Sequence, residues 1–193
     1  MGTPGLADRI VEAGGRLFAE QGFHATGIRA IAQAAKVSIG SIYHYFESKE
    51  EILERIVRAE IDRRREFLEG LRKQGLPLEE QVRLIVQHHF SLLREGRDSA
   101  RLFLREWFDP TPELRTKMYR LYDEVAGYIA QLIEEGIAAG EARPCRPLVA
   151  AYTILGLVEA VSLRALSGDE TAALLMEEGP RELAESLWLW LRR

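Results

Sequence analysis

The sequence predicts an all-α fold, because apolar residues recur with a helical period along nearly the whole chain. No segment alternates apolar and polar residues in the way that a half-buried strand does. Glycine and proline interrupt the pattern where helices would end, and the front segments are shorter than the rear ones. We therefore expect about nine helices, arranged as a three-helix N-terminal domain over residues 1–49 and a larger helical bundle over residues 50–193.

The first three helices are short and closely spaced. Ile10, Leu17 and Phe18 form one apolar stripe, and Gly22 should end that helix. Residues 28–35 form a second helix, and a break at Lys36 separates it from a third helix over residues 38–46. Two short helices joined by a turn of about three residues are the layout of a helix-turn-helix.

The later helices are longer and are bounded by caps or prolines. Ser48 and Glu51 have the spacing of a capping box, and the helix that they open should end by Gly75. Gly168 and Gly179–Pro180 are expected to bracket a last loop or short turn before the terminal helix. The remaining helices are expected at residues 76–95, at 97–108, from beyond Pro112 to Gly140, at 148–166, and in the segment that ends at Leu191.

Composition excludes several classes of protein. No apolar run is expected to reach the roughly 18–20 residues of a bilayer span, and Met1 to Asp8 lack the features of a signal peptide, so a cytoplasmic location is expected. Cys145 is the only cysteine, so neither an internal disulfide nor a cysteine-based metal site is expected. The net charge of -4 gives little indication of a nucleic-acid partner.

The third helix has an unusual surface. Ile39, Gly40, Ser41, Tyr43 and His44 combine small and polar groups on one face, whereas Val37, Ile42 and Phe46 can point towards a core. A helix that lies in the major groove of DNA needs small residues for close approach, together with polar and apolar tips for base edges. Two alternatives remain open, namely that Tyr43 is an aromatic residue at the core edge and that His44 is only solvated.

The N-terminal residues resemble the TetR family of transcriptional regulators. The resemblance extends from Arg9 to about Leu53. It rests on residues 17–23 (LFAEQGF), 31–35 (IAQAA), 42–46 (IYHYF) and 48–51 (SKEE). Lys36 departs from the glycine that the family often has at the turn, so it is expected to adopt a left-handed backbone or a different turn. Gly27 replaces a hydroxyl residue that is common at the start of the second helix.

The resemblance implies which residues contact DNA. Ile39, Gly40, Ser41 and His44 would face the bases, and Arg29 would reach a base edge or a phosphate. The DNA backbone would be held by Thr26, Lys36, Ser38, Tyr43 and Lys49.

Two copies of the chain are expected to bind a palindromic operator, because the charge on one copy is too small for tight binding and two-fold pairing presents two recognition helices. The last two helices are the candidates for the dimer interface. Small residues there permit close helix packing, and large apolar ones supply area; some of both can instead be core. The interface residues expected are Gly156, Leu157, Ala160, Trp188 and Trp190, with Ala150 and Ala151 as further small residues.

A pocket between the middle helices is expected to take a small apolar molecule. Glu159 interrupts an otherwise apolar helix, and a buried carboxylate requires partners. It can contact a ligand or form an ion pair with an arginine such as Arg105 or Arg164. The candidate ligand residues are His89, Phe103, Arg105, Glu106, Trp107, Tyr128, Glu159 and Arg164. His88 and His89 are adjacent and point to different faces, so no metal site is expected.

The rear half resembles the TetR subgroup that represses fatty-acid degradation. The similar stretches are residues 89–93, 112–115, 134–137 and 139–141. This resemblance implies a long-chain acyl-CoA as the inducer, with a tunnel for the chain and arginines for the coenzyme phosphates.

These observations predict a ligand-responsive repressor that acts as a homodimer on double-stranded DNA, without a cofactor. The alternatives are a regulator that responds to another hydrophobic or aromatic effector, and an activator or architectural protein without a ligand. An enzyme is not expected, because the sequence contains no Gly-x-Ser-x-Gly, His-Glu-x-x-His or glycine-rich phosphate loop.

Overall fold

The computed structural model describes residues 5–95, 98, 100–102 and 115–193. Within these residues it contains α1 (Leu6–Gln21), α2 (Ile28–Ala35), α3 (Ile39–Tyr45), α4 (Lys49–Lys73), α5 (Leu78–Arg94), α6 (Arg115–Ala138), α7 (Pro147–Ala165) and α8 (Glu170–Leu191). Residues 98 and 100–102 are also helical. The described part of the chain has no strand, only one isolated antiparallel bridge between Ala142 and Arg192. The predicted all-α fold is confirmed.

The chain divides into two compact units, and α4 and α6 contribute to both. The described residues of the first unit are 5–62, 98, 100–102 and 115–119, and those of the second are 63–95 and 120–193.

The first unit is built on the apolar stripe predicted for α1. Ile10 and Phe18 are fully buried, as are Ile31 on α2 and Ile42 on α3. Burying a side chain of this size contributes about 1.5–3 kcal/mol, so these contacts contribute substantially to the stability of the first unit. Gly14 allows α1 to approach α4 closely, because a Cβ at this position would lie 2.9 Å from Cγ2 of Ile52.

The predicted helix caps are present with one difference. Gly22 ends α1 with a φ of 92°, and the hydroxyl of Ser38 accepts from the Ser41 N–H at 2.9 Å. At the start of α4 the Ser48 hydroxyl accepts from the Glu51 N–H at 3.3 Å, as in a capping box. However, Glu51 reaches back to the N–H of Glu47 at 2.7 Å rather than to that of Ser48.

The second unit is a bundle in which α5 packs against α7 and α8, and α7 packs against α8. The turn between α6 and α7 is fixed at Gly140, whose φ of 77° requires glycine or a strained residue. Gly136 permits close contact with α5, because a Cβ there would lie 2.5 Å from Cδ2 of Leu78. The carboxylate of Glu141 accepts from the Leu78 N–H at 2.6 Å and so satisfies the start of α5.

The prediction of a loop at Gly179–Pro180 is wrong, because α8 is continuous and contains Pro180. Proline cannot donate to the carbonyl four residues earlier, which normally disfavours a helix interior. Here both residues are buried in the bundle, and Gly179 lies against the ring of Phe90. Burial of a full stripe along α8 therefore outweighs the local preference of this pair. The stripe consists of Ala172, Gly179, Pro180, Ala184, Leu187 and Leu191.

By length and composition, α7 is the one helix within the described residues that could cross a membrane, which corrects the expectation that no segment is long enough. It has the contacts of a core helix, however. Its Glu159 and Ser162 are buried in the bundle, and it packs against α5 and α8.

Candidate nucleic-acid interface and buried polar cavity

The turn before α3 is held by backbone hydrogen bonds at the end of α2. Lys36 has a left-handed backbone, with φ 56° and ψ 47°, which confirms the first of the two predicted possibilities. The Val37 N–H donates to the Ala32 carbonyl at 3.0 Å, and the Lys36 N–H donates to the Gln33 carbonyl at 3.2 Å. These two bonds are those of a Schellman motif, which usually has glycine at the left-handed position.

Arg9 reinforces this turn from α1. Its Nη2 donates to the Ala35 carbonyl at 2.6 Å and to the Lys36 carbonyl at 3.3 Å. The last carbonyls of a helix have no partner within the helix, so the guanidinium satisfies groups that would otherwise need water. Arg9 thereby links α1 to the turn that sets the direction of α3.

The outer face of α3 has the composition predicted from the sequence. Ile42 and Phe46 are buried, whereas Ile39 is 40% exposed and Tyr43 is 58% exposed. Gly40 and His44 are also exposed. Tyr45 is also exposed, at 45%, and its ring contacts that of His44 edge to face. α3 thus has a core edge and an outer face of small, polar and aromatic groups.

Arg29, Lys36 and Ser38 are exposed. Thr26 is not: it is 1% exposed, and its hydroxyl donates to the Gly22 carbonyl at 2.8 Å and the Leu17 carbonyl at 3.2 Å. The expected phosphate contact from the Thr26 hydroxyl is therefore corrected to a role in holding the loop between α1 and α2.

Lys49 also serves this loop. Its ammonium donates to the carbonyls of Phe23 at 3.0 Å and Thr26 at 3.3 Å, and it lies 4.4 Å from the centre of the Phe23 ring. An ammonium has three donors, so one remains for a phosphate. Lys49 ties the start of α4 to the loop that precedes α2.

The second unit encloses a cavity of about 40 Å³ between α4, α5, α6 and α7. Its wall is mostly apolar, but Arg64, His88, His89 and Glu159 also face it. The apolar lining consists of Phe67, Leu68, Ile85, Val125, Ile129, Ile154, Leu155 and Val158.

A hydrogen-bonded relay joins three helices beside this cavity. Nη1 of Arg64 on α4 lies 3.0 Å from Nδ1 of His89 on α5, and Nε2 of His89 lies 2.9 Å from the hydroxyl of Ser162 on α7. A guanidinium can only donate, so Nδ1 accepts and the proton is on Nε2, which donates to Ser162. His89 is therefore neutral. Burial lowers its pKa well below the usual value, and the charge of Arg64 and then that of His88 lower it further.

Two acidic groups complete this polar cluster. Glu159 is buried, and its Oε2 lies 3.9 Å from Nε2 of His89. Burial raises the pKa of the Tyr122 hydroxyl, and the negative charge of Glu159 raises it further, while Arg64 lowers it in part. Five residues with polar groups that are almost inaccessible to water, namely Arg64, His89, Tyr122, Glu159 and Ser162, thus lie together in an otherwise apolar core.

The predicted ligand residues do not all meet at this cavity. His89 and Glu159 line it, whereas Tyr128 lines a separate open groove of about 360 Å³ with Leu68, Arg72 and Lys73. Arg164 is exposed at the end of α7, where its guanidinium binds Asp169 at 2.8 Å, so neither its ligand contact nor its pairing with Glu159 is supported. The other predicted residues, Phe103, Arg105, Glu106 and Trp107, lie outside the described residues.

Comparisons with known proteins agree with this geometry. Residues 10–56 match the family described as bacterial regulatory proteins, tetR family, and residues 75–163 match the tetracyclin repressor-like C-terminal domain. A fatty acid metabolism regulator protein of Bacillus subtilis (strain 168) is 30% identical over 133 residues, which cover 69% of each chain. The HTH-type transcriptional regulator YfiR of the same organism is 30% identical over 192 residues, covering 95% of this chain and 88% of that one.

The chain belongs to the TetR family. It is a TetR-type transcriptional repressor, and the prediction that it is not an enzyme agrees with this family. Among solved structures it is similar to the transcriptional regulator FadR from Bacillus subtilis in complex with stearoyl-CoA. That similarity has a TM-score of 0.82 at 25% identity and covers 94% of this chain and 97% of the other. The predicted resemblance to regulators of fatty-acid metabolism is thereby confirmed.

This TetR-family chain exposes apolar residues on α7 and at the end of α8. Gly156, Leu157 and Ala160 are exposed, and Leu157 retains 48% of its accessible surface. Trp190 is 37% exposed, the Arg143 guanidinium lies over its ring at 4.9 Å from the ring centre, and Trp188 is half-buried. Ala150 and Ala151 are instead fully buried within the chain, so they are core residues.

Sequence reasoning missed Arg9, Arg64, Ser162 and Tyr122. For Arg64 a signal exists, because it interrupts the apolar face of α4 between Ile61 and Leu68 with a charge. For Ser162 and Arg9 none does, since a serine in a helix and an arginine near a terminus are ordinary surface residues.

Proposed function

We propose that this TetR-type repressor binds a palindromic DNA operator as a homodimer and releases it when a long-chain acyl-CoA enters the cavity of the second unit. The observation that carries the proposal is the outer face of α3, which combines exposed Ile39, Tyr43 and His44 with Gly40. Such a face fits the major groove, where glycine permits close approach and the larger tips reach base edges.

Residues on α3 and near it in the chain have proposed parts in DNA binding. Ile39, Gly40, Ser41 and His44 would face the bases, and Arg29 would reach a base edge or a phosphate. Tyr43, Lys36, Ser38 and the remaining donor of Lys49 would hold the DNA backbone. Contacts to the DNA backbone fix the position of the protein on the duplex but do not distinguish one base sequence from another.

Homodimerisation is proposed through the exposed face of α7, with the end of α8 beside it. An apolar face of this kind is a common mark of an association surface. A two-fold axis between two such faces would place equivalent residues of α7 against each other. It would present the two α3 helices to half-sites about 34–36 Å apart.

The inducer class is supported by the lining of the cavity and by the relatives. The wall is mostly aliphatic, which suits a hydrocarbon chain. One similar solved structure contains stearoyl-CoA, and one similar relative is a fatty acid metabolism regulator protein.

The size of the cavity indicates how induction would work. A pocket for a small molecule usually measures about 300–1,000 Å³, and the cavity here measures about 40 Å³. Its lining must therefore separate when a chain enters. Ligand would bind the expanded state better than the closed one, and only that difference in affinity can shift the dimer away from DNA.

The charges beside the cavity favour entry of the uncharged end of the ligand. Glu159 is a buried acid, His89 is neutral, and the guanidinium of Arg64 already donates to His89, so an entering carboxylate or phosphate would lose its water and meet the charge of Glu159. We propose that the methyl end enters and that the polar head group stays outside. The groove that contains Arg72, Lys73 and Tyr128 is the candidate for that head group, since Leu68 lines both the groove and the cavity.

The test is DNA binding to a palindrome selected from random DNA, titrated with lauroyl-CoA and oleoyl-CoA at fixed salt. Val158→Phe fills the proposed cavity, and Leu174→Phe, exposed near the start of α8 and part of neither the cavity wall nor the proposed dimer face, is the matched control. We expect acyl-CoA, but not free coenzyme A, to dissociate the complex of the wild type and of the control. The cavity variant should need at least about tenfold more acyl-CoA, as expected when roughly 1.4 kcal/mol of binding energy is lost.

Each result has a defined meaning. If DNA binds and acyl-CoA has no effect, the proposed inducer is wrong while the repressor remains. If both phenylalanine variants respond as the wild type does, the inducer does not use this cavity.

As a DNA-binding regulator of a bacterial family, the protein is proposed to act in the cytoplasm.

A further inference from the structure

The polar cluster beside the cavity does more than fill the core. Arg64, His89 and Ser162 come from three helices and meet in one hydrogen-bonded line, with Glu159 adjacent. Charged and polar residues in a core are costly, and apolar residues of similar volume are often as stable or more so. Such a cluster is therefore better explained by a requirement for one specific arrangement than by stability.

The relay is specific because each atom has only one possible role. Arg64 must donate, so Nδ1 of His89 must accept and Nε2 must donate to Ser162. The line therefore breaks if α4 moves away from α5, since a hydrogen bond fails when the donor and acceptor separate by an ångström or so.

The relay also lies at the part of the cavity wall that must move apart when a ligand enters. Arg64, Phe67 and Leu68 are the contributions of α4 to the cavity wall. A ligand that expands the cavity must displace some of these side chains or those opposite. Because α4 begins at Lys49 and contributes to both units, a shift of α4 is a change that the DNA-binding unit can receive.

We propose that the Arg64–His89–Ser162 relay is a lock that holds α4 in the ligand-free, DNA-competent position, and that the inducer opens it. The proposal rests on the proposed function, because it takes the closed cavity as the state that binds DNA. Arg64 and His89 are positioning residues in this scheme and need not touch the inducer.

A lock makes a prediction that a stabilising contact does not. Breaking it moves the equilibrium towards the expanded state, so DNA affinity falls while inducer affinity rises. Linkage between two ligands is reciprocal, so variants along this equilibrium change the two affinities in opposite directions. A merely structural loss lowers both affinities together.

The experiment measures operator affinity and oleoyl-CoA affinity separately for the full-length protein. His89→Phe keeps an aromatic ring and removes both hydrogen bonds. His89→Gln keeps one acceptor and one donor and should restore the relay. Arg65→Met on the same helix is the control, because its guanidinium lies 3.8 Å from Glu69 and does not line the cavity.

We expect His89→Phe to weaken operator binding about tenfold without ligand and to tighten oleoyl-CoA binding several-fold, within the usual range of allosteric coupling. His89→Gln and Arg65→Met should stay within about twofold of the wild type. The double variant Arg64→Met with Glu159→Gln also breaks the relay, and it leaves the net charge unchanged. It should weaken operator binding and tighten oleoyl-CoA binding as well, so it replaces His89→Phe if His89→Phe does not fold.

The outcomes separate the two proposals. If oleoyl-CoA binds and releases the wild type, but the relay variants lose both affinities or neither, the lock is wrong and the proposed function stands. If oleoyl-CoA neither binds nor releases the wild type, the proposed function fails and the lock fails with it. The lock is supported if His89→Phe weakens operator binding and tightens oleoyl-CoA binding while His89→Gln keeps both affinities close to those of the wild type.

Discussion

The two units of this chain place their polar side chains in opposite ways. In the first unit, α3 turns Tyr43 and His44 outwards and buries only Ile42 beneath them. In the second unit, Arg64, His89, Glu159 and Ser162 are turned inwards, around a cavity with an aliphatic wall. The surface proposed to meet DNA is complete before binding, whereas the cavity proposed to take an apolar chain measures only about 40 Å³.

This difference has a physical origin. DNA is a large charged partner that is contacted from outside, so exposed side chains on short capped helices are sufficient. An apolar ligand gains most when it is surrounded, and an empty pocket of that size would lose the contacts of its walls. The following predictions test the contrast, beginning with the largest effect.

Removing the outer tips of α3 should abolish function without affecting the fold. Tyr43→Ala combined with His44→Ala removes two proposed contacts, each worth about 1–3 kcal/mol, so operator affinity should fall at least about 30-fold. The free energy of unfolding should change by no more than about 0.5 kcal/mol, because both side chains are exposed. Tyr119→Ala, a tyrosine of similar exposure in the same unit, should leave both values unchanged. Equal DNA affinity in all three proteins would contradict the proposed surface.

Filling the helix contact at Gly136 should destabilise the second unit. In Gly136→Ala the new Cβ would lie 2.5 Å from Cδ2 and 3.3 Å from Cβ of buried Leu78, and overpacking of this kind costs about 1–3 kcal/mol. Gly127→Ala on the same helix meets nothing within 4 Å, so it should stabilise by up to about 1 kcal/mol through helix propensity. Urea unfolding of the two variants checks the sign, and the same sign for both would show that α5 and α6 are not packed so closely.

Substitutions at Lys36 should distinguish the effect of backbone strain on stability from the effect of charge on DNA binding. Its left-handed backbone, with φ 56°, costs a residue other than glycine about 1–2 kcal/mol. Lys36→Gly should therefore raise the free energy of unfolding by up to about 1 kcal/mol, while Lys36→Ala should not. If Lys36 contacts a phosphate, both variants should bind DNA more weakly, and the slope of log affinity against log salt should fall by about 0.9 for each phosphate lost. Salt titrations that give the wild-type slope would exclude that contact.

Lowering the pH should destabilise the second unit through His89. Burial holds its folded pKa well below 6.5, so the unfolded chain takes up the proton first and stability rises with pH in this window. The contribution of His89 is complete above about pH 6.5 and is lost as the pH falls through the folded pKa. The charged and titratable groups that interact with the ring are Arg64 on α4, Glu159 on α7 and His88 on α5.

As the pH is lowered from 8 to 5, the free energy of unfolding should therefore decrease more for the wild type than for His89→Gln. Comparing the two proteins cancels the titration of the groups that they share. Parallel pH profiles would mean that His89 does not remain neutral.

The same contrast explains what the sequence could predict. The helix ends at Gly22 and Gly75 and the helix start at Ser38 could be predicted from local chemistry. The outward face of α3 could be predicted as well, because the residues of a short helix divide into a polar and an apolar side. Pro180 was misjudged, since only contacts between helices far apart in sequence keep α8 continuous.

The cavity was only half predicted for a similar reason. Glu159 was conspicuous as an acid in an apolar helix. Its neighbours Arg64, His89 and Ser162 come from three helices, and nothing local in their sequence states that they meet.

The exposed apolar face of α7 has a consequence for the amount of active repressor in a cell. If operator binding needs two copies that pair through Leu157 and its neighbours, the active species grows with the second power of chain concentration when pairing is weak. Folding and pairing then reinforce each other by mass action. A modest fall in synthesis would reduce operator occupancy more than in proportion, so the regulated genes would respond more sharply than to a monomeric repressor.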